Sequence, residues 1–265
     1  MSLLQIEKHG AVALLTLNRP DSMNALSNGP DGAEIAAACE EVAADPDIRC
    51  AILTGAGKAF SAGGNIKAMR ERDGAFGGSP DQIRRSYAGG IHRLVKALYH
   101  FELPLIAAVN GPAIGLGCDV ACMADLRIAS DRAKFGVTFL KLGLIPGDGG
   151  AWLLPRIIGH ARAAELLFTG DVIDAETALD WGLVSRVVPG DELIDEAMAL
   201  AEKIAGQPPQ SLRLAKQLMR RGATTDFDTV MELSAASQAL MHVTEDHLEG
   251  IDAILEKRTP VFKGK

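Results

Sequence analysis

The sequence has no run of basic residues and no excess of them. Its 27 Lys and Arg stand against 34 Asp and Glu, for a net charge of -7. Such a balance disfavours nucleic acid and anionic membrane surfaces as partners. Cysteine is scarce. Cys39, Cys50, Cys118 and Cys122 form no C-x-x-C pair and no Cys/His ligand block, so they read as buried free thiols in a reducing compartment. Cys118 and Cys122 share a helix face, but too few soft ligands accompany them for zinc, and no metal is expected. The opening MSLLQIEKHG lacks the charged-then-apolar order of a secretion signal. One long apolar stretch exists, residues 103–124. Asn110-Gly111-Pro112 interrupts it and Asp119 lies inside it, so it reads as strand, turn and helix, not as a membrane span. The expectation is a cytoplasmic protein with no membrane partner.

Familiar catalytic signatures are missing too. There is no G-x-S-x-G elbow and no G-x-x-x-x-G-K-[ST] loop, which sets aside a standard α/β serine hydrolase and a P-loop nucleotide site. Residues 115–120 (GLGCDV) begin like a dinucleotide fingerprint but lack its third glycine. The six histidines show no H-x-H or H-E-x-x-H spacing. His242 and His247 lie in an acidic helical segment that reads as a solvated face. His92 reads as a structural histidine, with a minor claim to function because a glycine-rich loop adjoins its helix.

What is present is an ordinary folded composition. The 265 residues are 48% apolar and 23% charged, enough to bury a core without disulfides or metals, at a length just under two average domains. Residues 11–17, 50–53 and 103–109 are short apolar runs suited to buried strands, with weaker ones at 126–129 and 183–188. Residues 32–44 are an Ala/Glu-rich helix, and residues 80–100 carry helical apolar spacing after a glycine-rich surface loop at 70–80. Residues 174–181 read as a short helix. From 191 to 258 the pattern is almost wholly helical, interrupted at Gln207-Pro208-Pro209 and near Gly222. The order predicts an α/β core over residues 1–190 and a helical region over 191–265. Val230, Leu233, Ala236, Ala239 and Leu240 give that region more apolar face than one small core needs.

Two strands end in glycine-rich turns that lead into helices: AILTG…FSAGGN at 51–65 and LIAAVNGPAIGLGCD at 105–119. Backbone N–H groups at such turns can hold developing negative charge on an oxygen, and small residues let a substrate approach the main chain. Either turn alone is as readily a plain strand–helix connection. Ile145-Pro146-Gly147-Asp148-Gly149-Gly150 adds a third such turn.

In this ordered series the sequence resembles the crotonase (enoyl-CoA hydratase/isomerase) superfamily. The most specific pieces are Phe60-Ser61-Ala62-Gly63-Gly64-Asn65-Ile66-Lys67 and the stretch from Ala108 to Asp119. Leu17-Asn18-Arg19-Pro20, Met23-Asn24-Ala25-Leu26, Asp125–Ala129, Ala133–Gly136, Trp181–Val184 and Leu255-Glu256-Lys257-Arg258 stand in the same order, so the resemblance spans almost the whole chain. It implies a spiral of ββα turns with a helical C-terminal trimerisation region, assembled as a homotrimer or a dimer of trimers. It also implies an acyl-CoA thioester as substrate, with no separate cofactor.

Carried over by motif position, the oxyanion donors are Ala62 N–H and Leu116 N–H. Gly63, Gly64, Asn65 and Gly115 line the thioester and pantetheine. Met23, Ala25, Leu26, Ile66 and Lys67 lie towards the nucleotide end of CoA, and Lys257 reaches its phosphates from a neighbouring subunit. Two-carboxylate hydratases of this family carry one acid at the position of Asp119. The second falls here on Phe139, which cannot transfer protons. Asp148 is the nearby substitute, or else a helix N-cap. Three readings follow: hydration or isomerisation of an enoyl-CoA, other chemistry on an acyl-CoA such as hydrolysis or C–C cleavage, or CoA binding without catalysis.

Overall fold

A parallel sheet whose strands are apolar on both sides organises the chain. The computed structural model describes residues 2–26 and 29–265. Strand β1 (Leu4–His9) pairs antiparallel with β2 (Val12–Leu17), and after helix α1 (Gly29–Ala44) comes β3 (Cys50–Gly55), parallel to β2. Next come α2 (Ile66–Glu71), α3 (Pro80–Gly89), α4 (Ile91–Tyr99) and β4 (Leu105–Val109). Then β5 (Pro112–Ile114), α5 (Leu116–Met123), β6 (Leu126–Ser130) and β7 (Lys134–Gly136) follow. The remainder comprises α6 (Gly150–Ile157), α7 (His160–Thr169), β8 (Val172–Asp174), α8 (Ala175–Asp180) and β9 (Arg186–Val188). It ends in α9 (Leu193–Ala205), α10 (Pro209–Gly222), α11 (Phe227–His242) and α12 (Glu245–Glu256).

The larger sheet has the order β1-β2-β3-β4-β6-β9, and a smaller one has β5-β7-β8. Twice the chain lays a strand in the large sheet and then a short one in the small sheet: β4 then β5, β6 then β7. That alternation is the ββα spiral. β3 shows why its run is unbroken: Ala51 and Leu53 face the main core, with Ile35, Leu94 and Val120, while Cys50 and Ile52 face α9. A strand covered on both faces needs apolar residues at every position.

Several expectations need adjustment. β1 has the mixed sequence LQIEKH and sits at the sheet edge, where one side meets water, so its apolar signal is weak. β5, β7 and β8 are three residues each, too short for any periodicity. The single helix expected over 80–100 is two. Ser79 starts α3 with a reciprocal capping box to Gln82, and the break falls at Gly90. There the backbones touch: a Cβ on Gly32 of α1 would collide with the Gly90 carbonyl. The 70–80 loop holds a short 3-10 turn, Gly74–Phe76, capped by Asp73.

The boundary expected at residue 190 also shifts. Leu193, Ala197, Ala201 and Ala205 of α9 cover the second face of the sheet, against Val12, Ile52, Ile106 and Ile128. α9 therefore belongs to the core, and the helices that leave it begin with α10. That helix docks through ions. Lys216 Nζ lies 2.7 Å from Asp125 and donates to the Leu103 carbonyl at 2.6 Å, while Arg220 meets the other Asp125 oxygen at 2.7 Å. α11 buries no residue at all. No helix among the described residues is long and apolar enough to cross a membrane.

Candidate active site

The two glycine-rich turns lie side by side because one residue pair bridges them. Ser61 N–H donates to the Pro112 carbonyl at 3.1 Å, and Ile114 N–H donates to the Ser61 carbonyl at 2.9 Å, an isolated parallel bridge between Ser61 and Ala113. The approach is too close for side chains. A Cβ on Gly117 would collide with the Ser61 carbonyl, and one on Gly63 with the Ile114 carbonyl, 3.1 Å from the Leu116 nitrogen. Gly115 has φ 55° and ψ -122°, a conformation in effect restricted to glycine.

The turn at 23–26 supports them from below. Asn24, fully buried with φ 55°, takes the Arg19 N–H at 2.8 Å and donates to the carbonyls of Ala56 and Ala59 at 2.9 and 2.8 Å. The Ser61 hydroxyl donates to the Asn24 carbonyl at 2.8 Å, and Leu26 N–H donates to the Gly63 carbonyl at 2.8 Å. Asn24 and Ser61 are structural parts of the site that motif position alone left without roles. Asn65 caps α2, accepting from Lys67 and Ala68 N–H at 3.0 and 3.2 Å. Asn caps a helix as well as Asp does, so Asn65 holds the turn at the start of α2.

One expected donor is not available. Ala62 N–H donates to the Met23 carbonyl at 2.8 Å, so it is already satisfied. Gly63 N–H goes to the Ser61 hydroxyl at 3.2 Å. The next amide, Gly64, has no acceptor among the described residues, and Leu116, first in α5, has no helical carbonyl behind it. Gly64 and Leu116 thus offer unengaged amides on the two bridged turns, whereas the Ala62 amide is engaged.

Two carboxyl groups stand behind this turn. Asp119, one turn into α5 from Leu116, is completely buried, and Asp148 is 3% exposed. Oδ1 of Asp148 has no hydrogen-bond partner among the described residues, and the Gly150 backbone is the group that acts on the Asp119 carboxyl as a hydrogen-bond donor. Burial pushes the Asp119 carboxyl well above the usual carboxylate range, and the neighbouring Asp148 adds to that. Burial also raises Asp148, to about 6, with His92 acting in the opposite sense. Gly150 makes room for the pair, since a Cβ there would collide with Oδ1 of Asp119. Asp148 is no helix cap: Gly149, at φ 114°, occupies the N-cap of α6, and no side chain caps it.

Phe139 is buried, and its ring lies 3.8 Å from where a Gly115 Cβ would be. The position expected for the second acid is thus beside the oxyanion turn and holds an apolar ring. Met23 and Ile66 are exposed at the rim. Lys67 follows on α2, and Ala25 lies between Asn24 and Leu26. Lys257 stands elsewhere, as the exposed left-handed C-cap of α12. Among the described residues, no group of three or more His, Cys, Asp or Glu is arranged to hold a metal ion.

Paired glycine turns with unengaged amides before a buried acid have the chemical means to stabilise charge on a substrate oxygen while moving a proton. Comparison with known proteins gives the family. Residues 7–265 match the family described as Enoyl-CoA hydratase/isomerase. The chain is 41% identical to the 1,2-epoxyphenylacetyl-CoA isomerase of Escherichia coli, over 99% of this chain and 98% of that one. It is 40% identical to the crotonyl-CoA hydratase of Syntrophomonas wolfei, over 98% and 97%. The crystal structure of an enoyl-CoA hydratase from Bacillus anthracis superposes with a TM-score of 0.92 at 36% identity, covering 99% of this chain and 100% of that one. The chain belongs to the enoyl-CoA hydratase/isomerase family, with the crotonase fold, and is an enzyme of the hydratase/isomerase type.

The buried acids carry a consequence for stability. A carboxyl whose pKa is higher folded than unfolded binds its proton more tightly in the folded state, so its contribution is favourable in acid and is lost as pH rises through the folded pKa. For Asp148 that loss runs from its unfolded value near 4 up through about 6. Asp148→Asn should therefore melt higher than the parent at about pH 8, by roughly 6–12 °C, with the gap closing towards about pH 4. Calorimetry across that range checks it, and an Asn variant that melts lower at every pH would contradict the burial argument.

Proposed function

We propose that the enzyme shifts a double bond within an acyl-CoA thioester, with Gly64 and Leu116 N–H holding the thioester oxygen as the enolate forms. The observation that carries this reading is the pairing of Asp119 with Asp148 behind the turn while Phe139 occupies the second-acid position. Burial pushes the Asp119 carboxyl well above the usual carboxylate range, which favours its protonated form and suits it to serve as the acid. Asp148, with its pKa at about 6, is ionised and serves as the base. A proton next to a thioester is only weakly acidic, so base and oxyanion donors act together. Hydration needs a water held between two acids. Here both acids are buried and a phenyl ring stands where one of them would be, which favours moving a proton over adding water.

Near-equal identity to a named isomerase and a named hydratase leaves sequence similarity neutral on this point. The rim residues Met23, Ile66 and Lys67 suit the nucleotide end of CoA. The test is incubation with 2-enoyl- and 3-enoyl-CoA thioesters in deuterated water, with products read by mass and absorbance. Isomerised, deuterium-labelled enoyl-CoA is expected, with Asp119→Asn slowed by about two to four orders of magnitude while CoA affinity is retained. Accumulation of 3-hydroxyacyl-CoA as the main product would overturn isomerisation, and a full-rate Asp119→Asn would overturn the site.

The same reading takes the chain as a homotrimer or dimer of trimers. Phe227, Leu240, Val243, Ile254 and Leu255 are exposed on or beside α11 and α12, and a cavity of about 850 Å³ lies between these helices, α10 and Phe262. Apolar area of that kind suits a second copy of the chain. Sedimentation at micromolar concentration is expected to give three or six times 28.0 kDa. A monomer alone would contradict it and would remove Lys257 as a ligand from the neighbouring subunit.

A further inference from the structure

His92 has no part in the chemistry assigned above, yet it holds the loop that carries one of the two acids. Because the helix breaks at Gly90, His92 falls in the first turn of α4, half-buried. Its Nε2 lies 3.0 Å from the carbonyl oxygen of Gly147. A carbonyl only accepts, so Nε2 carries hydrogen in either charge state of the ring. Tyr87 of α3 packs edge-on against the imidazole at 5.8 Å between centroids, and Phe76 packs edge-on against Tyr87 at 6.5 Å. The ring is therefore fixed in plane as well as in place.

The loop it grips has little stiffness of its own. Asp148 is flanked by Gly147 and Gly149, and glycines restrict the backbone least of all residues. Oδ1 of Asp148 has no partner that would anchor the side chain. We propose that His92 is the positioning residue for Asp148. Its N–H bond to the Gly147 carbonyl sets the glycine loop so that the carboxyl stays beside Asp119, and its ring tunes the proton affinity there. This inference rests on the reading of Asp148 as a proton-transfer group.

Three titratable groups face Asp148: Asp119 from α5, Tyr87 from α3 and His92 from α4. Burial pushes the Asp119 carboxyl up, towards its neutral form. Burial likewise pushes the Tyr87 phenol up, so it stays neutral. His92 alone acts to lower the Asp148 pKa. Its loss should move Asp148 ionisation to higher pH.

The test measures kcat and KM against pH for His92→Phe, His92→Gln and Asp148→Asn, and for His92→Phe combined with Asp148→Asn. His92→Phe is expected to lose about 10- to 100-fold in kcat, the scale of a small misplacement of a reacting group, with KM little changed. Its rising pH limb should lie at higher pH. Gln keeps an N–H donor for the carbonyl and should recover most of the rate. In the Asp148→Asn background, His92→Phe should cost nothing more. A His92→Phe enzyme with the parental kcat and pH limb overturns the inference, as does a loss that adds in full to that of Asp148→Asn. If Asp148→Asn is slow and the His92 variants are normal, only this inference fails. If Asp148→Asn runs at full rate, the assignment of the base fails and takes the inference with it.

Discussion

Two hydrogen bonds between Ser61 and the strand at Pro112–Ile114 carry the rest of the site. They press two glycine turns together until no Cβ fits at Gly63 or Gly117, and that pressure leaves two amides unengaged and close. Everything upstream serves the contact. The large sheet brings β3 and β4 side by side in parallel, so the turns that follow them emerge at the same edge. Asn24, buried with three hydrogen bonds, holds the Met23–Leu26 turn against both. Preorganised donors of this kind need no rearrangement when charge develops, which is why they outweigh donors in water.

Burial does the complementary work on the acids. Asp119 and Asp148 sit with little solvation and few hydrogen bonds, a destabilising arrangement that a core retains for its chemistry. Two carboxyls in one buried site cannot both ionise readily, which in the proposed mechanism divides them into a proton donor and a proton acceptor. Phe139 keeps the turn apolar on its remaining side. These features support the proposed double-bond shift over hydration without changing the fold.

Much of this was legible in the sequence, for physical reasons. β3 and β4 are covered on both faces, so they announce themselves as unbroken apolar runs, and the glycine turns mark where backbones touch. Phe139 at the second-acid position was also readable from motif order. Other features depend on contacts between distant segments. Which amide of 62–64 is free is decided by the Met23 carbonyl, which the motif does not show. The break at Gly90 is decided by Gly32 on another helix, while the apolar spacing runs on across it. Asp148 before a helix fits a cap or an acid equally well until the loop makes Gly149 the cap. His92 gains its place only through that same break.

The proposed mechanism depends on the Gly64 and Leu116 amides polarising the thioester carbonyl. The direct measurement is the carbonyl stretch of a bound, isotope-labelled acyl-CoA thioester, compared between the parent, Gly64→Ala and Gly64→Pro. A Cβ at Gly64 meets only the flexible end of Met69, so the alanine variant is a steric control, whereas proline removes the N–H itself. A shift to lower frequency is expected in the parent and in Gly64→Ala, largely lost in Gly64→Pro, whose turnover falls by about 10²- to 10³-fold. An undiminished shift in a Gly64→Pro enzyme that still binds the thioester would contradict it.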